Sequence, residues 1–151
     1  MFDETTSAVL ARQEIEVPSW AYGNSGTRFR VFGSPGAPRT IHEKLADAAQ
    51  VHRFTGLAPI VALHYPWDKV SDWPGLVQEA HDLGVRIGTI NSNTFQDETY
   101  KLGSLAHHDP AVRSKAVEHH LECIEVMHQT GSSDLKIWLA DGTNYPGQGD
   151  L

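Results

Sequence analysis

Only one cysteine, Cys123, occurs in the 151 residues. That excludes an intrachain disulfide framework and suits a reducing compartment. Positive charge is also scarce: 12 Lys and Arg stand against 19 Asp and Glu, for a formal net charge of −7. A surface of that sign repels phosphate backbones, so nucleic-acid binding through a broad basic face is disfavoured. A small neutral substrate is compatible with it. No apolar run approaches the roughly 20 residues that span a bilayer, so no membrane partner is expected. The start carries Asp3 and Glu4 rather than a basic stretch before an apolar run. No secretory signal is read there, and a cytoplasmic location is expected. The sequence has no Gly-x-Gly-x-x-Gly fingerprint, phosphate loop, Gly-x-Ser-x-Gly elbow or His-Glu-x-x-His pair, which removes the commonest nucleotide, hydrolase and zinc-protease signatures. Nor does it show an internal repeat or a low-complexity tract.

What is present is an ordinary globular composition, 40% hydrophobic and 21% charged, over a length that fits one domain. Residues 7–15 suit a helix. The run 28–32 (Arg-Phe-Arg-Val-Phe) alternates as a short strand does. Thr40 followed by Glu43 forms a capping-box pattern, which predicts a helix from Ile41 to about Phe54 with Leu45, Ala48, Ala49 and His52 on one face and Gly56 as its stop. Residues 60–63 (Ile-Val-Ala-Leu) read as a strand buried on both faces. Ser71 or Asp72 caps a helix over 73–83, and residues 85–90 read as a third strand. Asp109-Pro110 starts a long helix whose apolar positions are Val112, Ala116, Val117, Leu121, Ile124 and Met127. Residues 135–140 form a fourth strand. Strands alternating with helices imply an α/β fold with a parallel sheet, and four such units make half of a (β/α)8 TIM barrel. Residues 1–151 are therefore expected to be the N-terminal half of a single barrel domain, truncated after its fourth strand.

Ligands of parallel α/β folds bind at the carboxyl ends of the strands. Three strand ends carry chemistry suited to a sugar, which has an apolar C–H face and a rim of hydroxyls. The second offers His64, Trp67 and Asp68. The third offers Asn91, Asn93 and Phe95. The fourth offers Trp138, Asp141, Asn144 and Tyr145. Aromatic rings stack on the apolar face, while His, Asn and Asp bond the rim. Alternation puts Ile60, Ala62 and His64 on one face, and Lys136, Trp138 and Ala140 on one face, with Trp138 aimed into the barrel mouth. An unperturbed histidine titrates near 6.5, so His64 is a candidate for proton transfer. Each residue also has a structural reading: Trp67 and Trp73 as rim cover, Trp138 as core, Asn91 and Asn93 as turn formers. Convergence on one end of one sheet favours the binding reading.

Nine histidines are present. His119 and Cys123, four apart on one helix, share a face, but two ligands do not make a metal site and no third has fixed spacing. Cys123 reads as a small buried hydrophobe.

Four long runs carry a resemblance: 20–29 (Trp-Ala-Tyr-Gly-Asn-Ser-Gly-Thr-Arg-Phe), 61–70 (Val-Ala-Leu-His-Tyr-Pro-Trp-Asp-Lys-Val), 90–97 (Ile-Asn-Ser-Asn-Thr-Phe-Gln-Asp) and 136–148 (Lys-Ile-Trp-Leu-Ala-Asp-Gly-Thr-Asn-Tyr-Pro-Gly-Gln). Together and in order, they resemble the L-rhamnose isomerases, nearest to the bacterial branch with broad aldose specificity. The resemblance implies a xylose-isomerase-like (β/α)8 barrel, usually a homotetramer, that interconverts aldoses and ketoses with two divalent metals, typically manganese. It matches His64 to a histidine near the sugar ring oxygen that assists ring opening. It matches Trp67 and Trp138 to pocket tryptophans, Phe95 to an aromatic wall, and Phe29 to a residue lent to a neighbouring subunit's site. The family's metal ligands come from later strands and match nothing here. The chain is therefore expected to supply the sugar side of the site and to be inactive alone. The alternatives are a sugar epimerase or a damaged-DNA nuclease of the same superfamily, the nuclease disfavoured by the acidic charge, and a non-catalytic half-barrel binding or assembly module.

Overall fold

A computed structural model describes residues 3–24 and 32–139. Its elements alternate as the pattern requires: α1 (Glu4–Ala11), β1 (Glu16–Pro18), α2 (Ile41–Thr55), β2 (Ile60–His64), α3 (Trp73–Asp82), β3 (Arg86–Asn91), α4 (Pro110–Thr130) and β4 (Leu135–Lys136). Short 3-10 turns occupy Ser19–Ala21 and Glu98–Tyr100. The strands form one sheet in the order β1-β2-β3-β4, every pair parallel. This α/β architecture is compatible with part of a β/α barrel.

Local signals set the helix ends. Thr40 Oγ1 accepts the Glu43 N–H while the Glu43 carboxylate accepts the Thr40 N–H, and Gly56 closes α2 at φ 70°. Asp72 caps α3 through the Gly75 N–H at 2.9 Å. Asp109 caps α4 through the Ala111 N–H, Pro110 takes the first helical position, and Gly131 ends the helix at φ 73°. Helices α2, α3 and α4 bring Leu45, Ala48, Leu76, Ala80, Cys123 and Val126 into one core with Val61, Leu63 and Ile90 of the sheet. Val61 and Leu63 face that core, which leaves Ala62 and His64 for the opposite face of β2.

Four expectations are corrected. The first strand is Glu16–Pro18, paired with β2 from Glu16↔Ile60 to Pro18↔Ala62. The run 28–32 lies outside the described residues except for an exposed Phe32. Three residues ending in proline show no alternation, yet an edge position tolerates the missing N–H. Helix α1 starts at Glu4, not at residue 7, because Asp3 caps it through the Thr6 N–H. Strand β4 pairs only at Leu135 and Lys136, since β3 ends at Asn91; the chains meet again at an isolated Thr94↔Leu139 bridge.

The fourth correction concerns α4. Its buried face is Ala116, His120, Cys123, Val126 and Thr130, whereas Val117, Leu121 and Ile124 are exposed. Polar pairing explains the rotation. The carboxyl end of β3 offers a Ser92 hydroxyl and an Asn93 N–H, and His120 and His119 turn inward to meet them. Leaving buried polar groups unpaired costs more than exposing a few apolar side chains.

Candidate functional site

At the carboxyl end of the sheet lies a cavity of about 600 Å³, lined by Trp20, His64, Trp67, Asn91, Ser92, Phe95 and residues 136–139. Strand β2 delivers His64 as its last residue, only 4 % exposed. Three aromatic side chains surround its ring. Trp67 stacks face to face on it, with centroids 3.6 Å apart and planes 15° from parallel. Trp20 and Phe95 present edges at 5.5 Å and 6.0 Å. Phe95 in turn tilts against Trp138 at 5.7 Å. The edge contacts of Trp20 and Phe95 lie at separations favourable for aromatic pairs.

Enclosure changes the chemistry of His64. Burial disfavours the charged form and pushes its pKa down from 6.5 to about 4, and the nearby Asp68 charge only partly opposes this. The imidazole is therefore neutral at pH 7. Its Nδ1 is buried without a hydrogen-bond partner among the described residues. A neutral imidazole can donate from one nitrogen and accept at the other, so it suits an uncharged, hydroxylated ligand.

Asp68 does not contribute to the rim. It is buried, and its carboxylate gathers three donors: the Ser19 hydroxyl, the Lys44 ammonium at 2.7 Å and the His64 backbone N–H at 2.8 Å. These belong to the segment after β1, to α2 and to β2. The carboxylate thus ties three elements together immediately behind the imidazole. Such a pair is held by geometry and full hydrogen bonding rather than by net attraction alone.

Asn91 is also committed, its amide donating to the Leu63 carbonyl at 3.1 Å while the residue lines the cavity. Asn93 faces the loop and α4 instead. Trp138 lines the cavity and is 57 % exposed. Ile137 and Leu139 line it too rather than joining the helix layer, because the ladder that would enforce alternation stops at Lys136. Phe29, Asp141, Asn144 and Tyr145 lie outside the described residues.

The sequence reading missed Trp20. It was hidden because β1 was not identified; with Glu16–Pro18 as the strand, Trp20 falls at a strand end like the others. A second unforeseen cluster lies nearby. The Glu16 carboxylate accepts the Thr89 N–H at 2.6 Å and the Thr89 hydroxyl at 2.8 Å, with Lys136 Nζ 3.8 Å away. Gly88 makes room for it: a Cβ there would overlap the Glu16 carboxylate and Ile60.

His119 and Cys123 do approach each other, at 3.7 Å, but His119 Nε2 accepts the Asn93 N–H. Burial raises the Cys123 thiol to about 12, so it is an inert thiol. Among the described residues, no three His, Cys, Asp or Glu side chains converge as a metal site. No helix among them is long and apolar enough to cross a membrane.

No protein-family model matches the chain. Two curated proteins are similar to nearly all of it. One from Rhizobium meliloti, named "Probable sugar isomerase", is 45% identical over 153 aligned residues, covering 98% of this chain and 36% of its own length. One of the same designation from Mesorhizobium japonicum is 45% identical over 149 residues, covering 93% of this chain and 34% of its own length. The chain thus spans about a third of the length of the curated relatives it matches.

Proposed function

We propose that this chain is the sugar-binding part of a metal-dependent aldose–ketose isomerase of the L-rhamnose isomerase type, with broad aldose specificity. The observation that carries the reading is a neutral, buried imidazole at the end of a parallel sheet, enclosed by Trp20, Trp67 and Phe95, with Trp138 beyond. Similarity to two probable sugar isomerases supports it. Four parallel strands in sequential order fit the first half of a xylose-isomerase-like (β/α)8 barrel. The same reading makes the complete enzyme a cytoplasmic homotetramer, with Phe29 completing a neighbouring subunit's site.

In this reading the aromatic rings bind the apolar face of a pyranose, and His64 lies against the ring oxygen. An N–H of the neutral imidazole donates to that oxygen. The C1–O5 bond then breaks with its electron pair taking the imidazole N–H proton onto O5, while O1–H gives its proton to the other imidazole nitrogen and C1=O1 forms, so His64 ends neutral in the other tautomer and the sugar is the open aldehyde. Asp68 holds the backbone of His64 in place from behind. Water is kept from the imidazole by the three rings around it.

Moving hydrogen between C1 and C2 requires polarisation of both oxygens, which a divalent metal such as manganese supplies when bound. The described residues do not fit that metal. The reading assigns its ligands to other parts of the complete protein, so this chain alone holds sugar without isomerising it.

Product analysis of the complete protein with L-rhamnose and manganese tests the proposal. Ketose formation supports it. Formation of the C2 epimer without ketose would replace it with an epimerase, and absence of any sugar binding would overturn it.

A further inference from the structure

The plane of the Trp67 indole is set by its stacking on His64, but stacking alone does not choose between the two orientations that share that plane, related by a half-turn about χ2. A second contact removes this freedom. The indole N–H donates to Gln96 Oε1 at 3.1 Å, and Asn93 Nδ2 donates to the same oxygen at 2.9 Å. The Gln96 backbone N–H returns to Asn93 Oδ1 at 3.3 Å. Two donors converge on one atom, so the amide orientation of Gln96 follows from the network. The loop itself is anchored twice: the Asn93 N–H donates to His119 Nε2 on α4 at 2.8 Å, and the Thr94 hydroxyl donates to the Trp138 carbonyl at 3.2 Å. Residues 93–96 therefore clip the ends of β2 and β3 to the segment after β4 and to α4. The clip presents Phe95 to the cavity and the Gln96 amide oxygen to the indole N–H of Trp67.

We propose that Gln96 is a positioning residue that fixes Trp67 in the pose stacked on His64, and so sets the fit of the cavity to its sugar. The inference rests on the sugar-isomerase reading for the ligand, though not for the contact itself. Gln96 is not among the residues lining the cavity and is exposed among the described residues, so its replacement leaves the core intact. Losing its acceptor lets the indole sample the orientation flipped about χ2. Binding weakens because the wall must be reordered each time, whereas the chemical step on a correctly bound sugar is unaffected.

The test compares Gln96→Met, which removes the acceptor at similar length, with Gln96→Glu, which keeps it, in the complete protein. Two readouts are needed: the indole N–H resonance of Trp67, identified by its loss in Trp67→Phe, and KM and kcat for L-rhamnose. Gln96→Met is expected to move the resonance and speed its exchange with water. It should also raise KM roughly fivefold, the size of one net hydrogen bond, with kcat within about twofold. Gln96→Glu is expected to restore both. An unmoved resonance in Gln96→Met would overturn the positioning contact, and a moved resonance with unchanged KM would overturn its role in fit. If the wild-type protein turned over no aldose, the sugar reading would fail, while the resonance would still decide the contact.

Discussion

The imidazole of His64 and the indole of Trp67 lie face to face, 3.6 Å between centroids and 15° from parallel. With Trp20 and Phe95 closing two further sides, this stack excludes the water that a protonated imidazole needs. The resulting pKa of about 4 is the electrostatic signature of the site.

Its consequence for pH has a definite sign. Unfolded His64 takes up a proton below about 6.5, whereas folded His64 does so only near 4. Between these values the unfolded state binds more protons, so stability is full above pH 6.5 and falls as pH drops toward 4, by at most about 3 kcal/mol. His119 and His120, also lowered mainly by burial, act in the same direction. Denaturation midpoints from pH 7.5 to 4.5 should decline, and Trp67→Ala, which hydrates the imidazole, should flatten the decline. A pH-independent midpoint would contradict the assignment.

Removing Asp68 takes the carboxylate from Lys44, Ser19 and the His64 N–H at once. Asp68→Ala is expected to destabilise the fold by about 3–5 kcal/mol. Lys44→Met combined with Asp68→Ala should cost less than the two single changes added, since neither charge is then stranded. Additive losses in urea unfolding would contradict a coupled pair.

Gly88→Ala should destabilise by about 1–3 kcal/mol. The new Cβ displaces the Glu16 carboxylate, which leaves the Thr89 N–H and hydroxyl short of an acceptor. In a Glu16→Ala background the penalty should shrink to the Ile60 clash alone. An equal penalty in both backgrounds would show that Glu16 is not the obstacle.

The isolated 151-residue chain should self-associate. Among the described residues β1 and β4 are the edges of the sheet, and Val117, Leu121 and Ile124 form an exposed apolar stripe on α4. Open edges and apolar stripes seek partners. Gel filtration across a range of concentrations should show mass rising with concentration, whereas a constant monomer would contradict this.

The boundaries of α2, α3 and α4 were readable because their causes are local, whereas the equally local Asp3 cap of α1 was missed. Thr40 with Glu43, Asp72, Asp109-Pro110, Gly56 and Gly131 each act within a few residues of themselves. Strand β2 was readable because an unbroken apolar run has few other uses. Strand β1 was not: three residues ending in proline become a strand only through pairing with β2, and Trp20 was lost with it. The face of α4 misled because its apolar stripe pointed one way, while Ser92 and Asn93, distant in sequence, drew His120 and His119 another. His64, Trp67, Phe95 and Trp138 could be placed at one sheet end from strand positions alone. The neutrality of His64 could not be, because burial by Trp20 and Phe95 is a tertiary fact.

The central claim is that His64 opens a cyclic sugar within this aromatic cage. The most direct measurement is turnover of cyclic L-rhamnose by the complete, manganese-loaded protein carrying His64→Asn, with metal content measured alongside. The account predicts that most of the turnover is lost, by about 100-fold or more, while bound metal stays at the wild-type level. Unchanged turnover at full metal content would contradict it.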